Sequence, residues 1–546
     1  MKIRSDIVRT YQSIHTWTGI TTGLLLFICF FAGALTMFQQ SLQSWAEAPR
    51  VSLPALADSE RDALIHQAMA TSSQAAKGFT LHLHDATAPL SWSDTAPAHL
   101  LDQETLNYAS LDDRGELLVE QYPVVHVADL IDELHRTAGI PGVVGHESLG
   151  VLVMGVISVL YFLALVSGFI FLLPTMARSF LALREGKGRF RWLLDTHNLV
   201  GVTSLPFHLL IALTVVVFAF HDDFYNGLSV IYGDQPMFPP ASTPALPDNV
   251  QSSLHPLQTY LSRAAELMPG QQVSTLKFQD LAGQRPSLLM YLTSDEHLQI
   301  SPQGNMLVLQ PYTLDLIYST WPEGDESLWG RLVNSFFALH FGSYGGEWVR
   351  WMYFLLGLGG AYLFYSGNLL WLSKRRQQKH YPQARLNHLA ALTYGVSFGC
   401  MAGIAAAMLA GRWLAPLFDN LNLLYLSSYY LVFVAALLLA FFCSGEAARV
   451  PLLRLTAALY LLIPLSSVLA GIASPDQPLW PDAASMAVEL CMLLFALGLA
   501  YRSLITDGFH KRQQNEQQHK QQRKQQNKQH DQEHDQEHAL LHDNVV

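Results

Sequence analysis

The chain has 546 residues, 50% of them hydrophobic and only 14% charged, with a mean hydropathy of +0.20. A soluble domain carries about 25% charged residues, so this composition excludes a purely soluble globular protein. Repeated apolar runs of about 20 residues, each long enough to cross a bilayer, predict a polytopic α-helical membrane protein. The net charge of −11 hides an asymmetry: residues 39–147 hold 16 Asp/Glu against 5 Lys/Arg, and residues 221–349 hold 13 against 4.

In chain order, a short basic start (1–9) leads to a first helix at 15–38. Its apolar run lacks a small-residue cleavage site and reads as a retained span rather than a signal peptide. A first external domain occupies 39–147, and helix two covers 149–173. A loop with Arg178, Arg184, Lys187, Arg189 and Arg191 precedes helix three at 197–220. A second external domain covers 221–348, and helix four 349–372. Lys374, Arg375, Arg376, Lys379 and Arg385 follow, then four closely spaced spans (392–410, 424–442, 452–472, 484–501) in a membrane extension at 391–503. Short basic loops face the cytoplasm. Eight spans with both termini inside therefore put the two acidic domains outside the cytoplasmic membrane, in the periplasm if the cell is Gram-negative.

Each external domain has the pattern of a small α+β module. In the first, a helix at 60–71 precedes strands at 79–83, 106–111 and 117–119; in the second, a helix at 254–268 precedes strands at 273–278, 288–292 and 306–309. Cys29, Cys400, Cys443 and Cys491 all lie in apolar runs and read as buried thiols. The tail, 504–546, is rich in Gln, Lys and His. Its His530, His534, His538 and His542 would share one face of a helix, although a solvated polar tail is the simpler reading.

The first half is an internal duplication of helix, external domain, helix. His15-Thr-Trp-Thr-Gly19 is echoed by His197-Asn-Leu-Val-Gly201, Leu134-His135 by Leu339-His340, and Ser167-Gly168 by Ser366-Gly367. An extra Pro/Gly-rich piece at 140–146 lengthens the first copy. Histidine ligates metals through a ring nitrogen, and a glycine one turn away clears the same face for a flat macrocycle. His15 and His197 lie at similar depth near the cytoplasmic ends of their helices, as two ligands of one iron. His135 and His340 are the matching pair near the outer face.

His208 complicates the outer pair. On a straight helix it lies about 16 Å beyond His197 and about 20° off the same face, so it can replace either outer ligand, as can His146 or His221. Single boundary histidines are commonly just interfacial polar residues; the repetition in register favours ligation. Gly19 and Gly201 can also serve helix packing. Arg350 can hold a haem propionate or snorkel to water, and Trp348 and Trp351 read as interfacial belt residues. No dinucleotide fingerprint, P-loop or His-Glu-x-x-His motif is present. An electron donor must therefore be a membrane quinol or a separate reductase.

These residues resemble the PepSY-associated transmembrane family, which includes iron-regulated inner-membrane proteins and FoxB-type siderophore reductases. The resemblance rests on His15-xxx-Gly19, Leu134-His135-Arg136, Asp195-Thr-His197-xxx-Gly201, Pro206-Phe-His208, Leu339-His340 and the two Ser-Gly helix ends. It covers residues 1–372, with the last four helices as a divergent extension. It implies periplasmic PepSY-like modules, b-type haem (two per chain) and reduction of ferric siderophores or other ferric chelates for iron uptake. It implies lipid but no nucleic acid as a partner. Two rivals stand beside it: an envelope sensor or assembly partner that binds peptide or protein through the modules, and a permease built on the four extra spans. Glu489 is the clearest charge within those spans.

Overall fold

The computed structural model describes residues 4–47, 53–83, 88–94, 105–145, 147–176, 182–184, 188–221, 224, 227, 233, 253–294, 298–320, 328–378, 380–418, 420–473, 480 and 483–507. His146 and the tail histidines lie outside them. The first repeat opens with helix α1 (Ser5–Thr36), followed by α2 (Gln39–Glu47) and α3 (Asp58–Thr71). Strands β1 (Phe79–His82), β2 (Leu90–Ser93), β3 (Thr105–Leu111) and β4 (Leu117–Pro123) come next. Helix α4 (Val127–Thr137), a small hairpin of β5 (Val143–Val144) and β6 (Glu147–Ser148), and helix α5 (Leu149–Leu172) complete it.

The second repeat runs through α6 (Arg189–Thr203), α7 (Leu205–Ala219) and α8 (Leu257–Leu267). Strands β7 (Gln272–Gln279), β8 (Ser287–Thr293), β9 (Asn305–Leu309) and β10 (Leu316–Ser319) lead to α9 (Leu328–Phe341) and α10 (Gly346–Arg376). The extension adds α11 (Gln383–Trp413), α12 (Leu421–Phe442), α13 (Arg449–Ala473) and α14 (Ala483–Asp507). Seven of these helices are long and apolar enough to cross a membrane, and the bent pair α6–α7 makes an eighth if it is one span. The chain is a multi-pass membrane protein. All four cysteines are free thiols.

The third span is not the straight helix expected from its hydropathy: α6 and α7 meet at 66°. Pro206 stands in the first turn of α7 and has no N–H to offer the preceding turn. Ser204 leaves helical geometry and returns its hydroxyl to the Val200 carbonyl. The helix therefore stops at Thr203 and restarts in a new direction, which removes the same-face relation between His197 and His208.

The two stretches read as separate α+β modules share one eight-stranded antiparallel sheet, in the order β10-β9-β8-β7-β1-β2-β3-β4. The order is symmetric about the β1–β7 seam, where Phe79 pairs with Phe278 and Leu81 with Leu276. Phe79 and Phe278 stack at 4.6 Å, a contact of about 0.5–1.5 kcal/mol beyond its buried area. Helices α3 and α8 cover one face of the sheet. Leu64 and Tyr260 pack there with Leu81, Leu90, Leu276 and Met290 in a single buried core. Strands β2 and β10 are additions to the sequence expectation; each has only four residues. Gln299 N–H donates to the Ser343 carbonyl, and the Asn334 amide to the Thr320 carbonyl, tying the sheet unit to the bundle.

Candidate functional site

The duplicated histidines meet in pairs. His15 on α1 faces His197 on α6, with ring centres 6.4 Å apart. His135 on α4 faces His340 on α9, with ring centres 6.2 Å apart. His135 and His340 sit on short helices of their own before α5 and α10, at the sheet side of the bundle. The two pairs lie at opposite ends of α1: His15 is near its start, and His135 packs against Gly33 near its end. Eighteen residues separate those positions, about 27 Å of helix, close to the roughly 30 Å of a hydrocarbon core.

Every ring is held through Nδ1. His15 Nδ1 lies 2.8 Å from the Ala164 carbonyl and His135 Nδ1 lies 2.9 Å from the Cys29 carbonyl. A carbonyl only accepts, so Nδ1 carries the hydrogen and Nε2 keeps its lone pair. His197 Nδ1 lies 2.8 Å from Ser366 Oγ, and His340 Nδ1 2.8 Å from Thr214 Oγ1. Each hydroxyl spends its own hydrogen on its helix: Ser366 donates to the Leu363 carbonyl, and Thr214 to the Leu210 carbonyl. The hydroxyl oxygen is thereby left to accept from Nδ1–H, and the same tautomer results. Burial, which disfavours the charged ring, pushes the His340 imidazolium down to about 3. The ring is neutral at physiological pH, the state that ligates metal.

Glycines make the room. A Cβ on Gly168 would stand 2.7 Å from His15 Nδ1, and one on Gly33 would stand 2.5 Å from His135 Nδ1. These two abut the rings; Gly19, expected from its spacing to clear the macrocycle face, borders space with no neighbour within 4 Å. Gly201 has only Leu363 at 3.6 Å. At the far end of the bundle, Asp195 is buried and gripped by Arg184 through Nε at 2.9 Å and Nη2 at 2.6 Å, with Arg191 beside it. This anchors the turn of α6 that carries His197.

His208 belongs to neither pair. It is fully buried on α7 against Phe30 and Tyr161, and neither ring nitrogen has a hydrogen-bond partner among the described residues. His221 Nδ1 faces the Phe218 carbonyl at 2.8 Å. Arg350 pairs with Glu347. Trp348 is exposed, and Trp351 packs on Phe38 at 4.6 Å. Ser366 is half of a Ser-Gly repeated in the sequence, whereas Thr214 and Gly33 carry no repeat signal.

His135 and His340 line a cavity of about 620 Å³, within the roughly 300–1,000 Å³ range of cofactor pockets. Its lining runs from Ser158 and Tyr161 inside the bundle to Thr293 and Gln299 of the sheet unit. Among the described residues no group of three or more His, Cys, Asp or Glu is placed to hold a bare metal ion. Each pair instead offers two nitrogens and would suit an iron whose remaining ligands are supplied by a macrocycle. An iron roughly 2.0 Å from a nitrogen on each side, with each nitrogen roughly 1.1 Å from its ring centre, needs ring centres about 6.2 Å apart. Both pairs fit that spacing.

Residues 12–374 match the family described as PepSY-associated TM region, a stretch that includes both histidine pairs and the whole sheet. An uncharacterized protein of Pseudomonas aeruginosa is 27% identical over 264 residues, 43% of this chain. The chain spans 61% of that relative's length.

Proposed function

This chain belongs to the PepSY-associated TM region family, and from that premise we propose that it is a di-haem membrane reductase that reduces ferric chelates on the periplasmic side of the inner membrane. The observation that carries the reading is the pair of pairs: two facing histidine couples at 6.4 Å and 6.2 Å, at opposite ends of one helix. When bound, a b-type haem would supply one-electron chemistry, at a potential set by the residues that hold it and their surroundings. His15 and His197 would hold the inner group, and His135 and His340 the outer one. The Ala164 and Cys29 carbonyls and the Ser366 and Thr214 hydroxyls orient the four rings and raise their basicity. Phe207, Ile211, Val215 and Phe218 give the outer cavity an apolar wall, and Arg136 and Arg350 bring positive charge to it. Both arginines are already shared with carboxylates, so they would contribute part of their donor sets to propionates.

The sheet unit contributes Thr293 and Gln299 to the same cavity, which suits approach of a chelate from that side. Siderophore oxygens are hard ligands that favour ferric iron, so a single electron loosens the chelate without breaking a covalent bond. A membrane quinol, or a separate reductase, is the donor. The basic connections around Arg184 and Arg375 favour the orientation with the sheet unit in the periplasm. The permease alternative rests on the four extra spans; Glu489, the clearest charge within them, is held by four donors and suits a fixed anchor better than an ion path.

The reading is tested in proteoliposomes that contain a reduced quinol, with a ferric chelate and a ferrous trap outside. Haem-loaded protein should accelerate ferrous iron formation, and His340→Ala should abolish the gain. Haem-loaded protein that reduces no ferric chelate faster than empty vesicles, with quinol or with a chemical reductant, would refute it.

A further inference from the structure

The two outer ligands sit on short helices supported from different places. Helix α9, with His340, is held within its own repeat: Tyr353 of α10 donates to the Leu339 carbonyl at 2.7 Å, and Thr214 of α7 meets His340 itself. Helix α4, with His135, packs on α1, α2 and α5 of its own repeat, where the Cys29 carbonyl holds the His135 ring, and it is held in addition by the extension. At its C-terminal end the Gly139 carbonyl accepts from Tyr430 of α12 at 3.0 Å. At its N-terminal end Gln43 of α2 donates to the Val125 carbonyl at 2.6 Å. Helix α2 is fastened in turn by Trp45, which is 1% exposed and donates its indole N–H to Glu489 of α14 at 2.9 Å.

Glu489 is the hub of that fastening. It is 2% exposed, and it accepts from Arg412 of α11 at 3.0 Å, from Ser467 of α13 and from Trp480 at 2.8 Å. Arg412 also lies over the Trp45 ring at 5.1 Å. A carboxylate at membrane depth persists only when paired and hydrogen-bonded. Here the donors come from three extension segments and one residue of the first repeat, so the charge locks those parts into one relative position. Helices α11 and α12 also pack directly on α4.

We propose that the four-helix extension is a positioning device for the outer cofactor site, with Glu489, Trp45 and Tyr430 as positioning residues that set the place of His135 against His340. The extension then has a role in the function rather than a separate transport activity. The spectroscopic arm of the test rests on the two-haem reading; the exchange arm does not.

The variants are Trp45→Phe, Glu489→Gln and Tyr430→Phe in the full-length protein, with His135→Ala as reference. The first two release the N-terminal fastening, and the third removes one hydroxyl at the other end. In a redox titration the outer haem should shift in potential or bind on the order of tenfold more weakly, the low end for an outer-shell partner. The inner haem should hold its occupancy and potential, and so reports that each variant is folded. By hydrogen–deuterium exchange, amides of α4 should exchange faster in each variant, while those of α9 keep the wild-type rate. If α4 protection and the outer haem are unchanged in all three variants, the proposal is wrong. Equal loss at α4 and α9, or at both haems, also overturns it, because that reports general destabilisation. A wild-type protein without haem would sink the functional reading, while the exchange pattern would still decide whether the extension positions α4.

Discussion

The two halves of the duplication hold their histidines by different chemistry. In the first half, His15 and His135 lean on backbone carbonyls, and glycines crowd against their rings. In the second half, His197 and His340 lean on side-chain hydroxyls, and the glycine beside His197 is at an ordinary distance: a Cβ on Gly367 would lie 3.5 Å from its ring. Both arrangements select the same tautomer. The first builds the acceptor into the main chain and relies on steric fit; the second relies on replaceable side chains. One unit, copied, has thus kept the placement of a histidine while changing what enforces it.

That difference can be broken in a definite order. The largest effects come from the ligands: His15→Ala and His197→Ala should each remove the same haem, and His135→Ala and His340→Ala the other, read as haem per chain and by which low-spin signal is lost. Loss of different haems within one pair would dissolve the pairing. Next come the second-half hydroxyls. Ser366→Ala and Thr214→Val should weaken haem retention by about 10–100-fold, measured by transfer to apomyoglobin, with each affecting only its own site. The glycines sharpen the contrast. Gly168→Ala should push the His15 ring and cost about 1–3 kcal/mol, seen as a shifted inner-haem potential, whereas Gly367→Ala should leave that potential alone. The smallest effect on haem is at His208, whose two nitrogens are buried and unpartnered among the described residues. His208→Phe should keep both haems and raise stability by about 1–3 kcal/mol in thermal unfolding; loss of a haem would make His208 a ligand after all.

Much of the architecture was legible because its signals are local. Apolar length marked the spans, and two-residue alternation marked Val273–Phe278 and Leu288–Leu292 as strands. Repetition in register picked out His15 with His197 and His135 with His340, which the structure brings face to face. What stayed hidden depends on contacts across the chain. The β1–β7 seam joins residues about 200 positions apart, and no periodicity within either segment announces it. The 66° bend at Ser204 was encoded by Pro206, yet a proline in an apolar run is tolerated in many membrane helices. Its position misled the placement of His208. Gly33 looked like any small residue on a packed helix; only the arrival of His135 from another element explains it. Glu489 read as an isolated charge because its donors are spread over Trp45, Arg412, Ser467 and Trp480.

The most direct test of the central claim is the haem content of the purified full-length protein, expressed with excess haem and scored by its reduced-minus-oxidised spectrum against protein concentration. Two facing histidine pairs predict close to two b-type haems per chain. A monodisperse, folded protein that binds none would contradict the account.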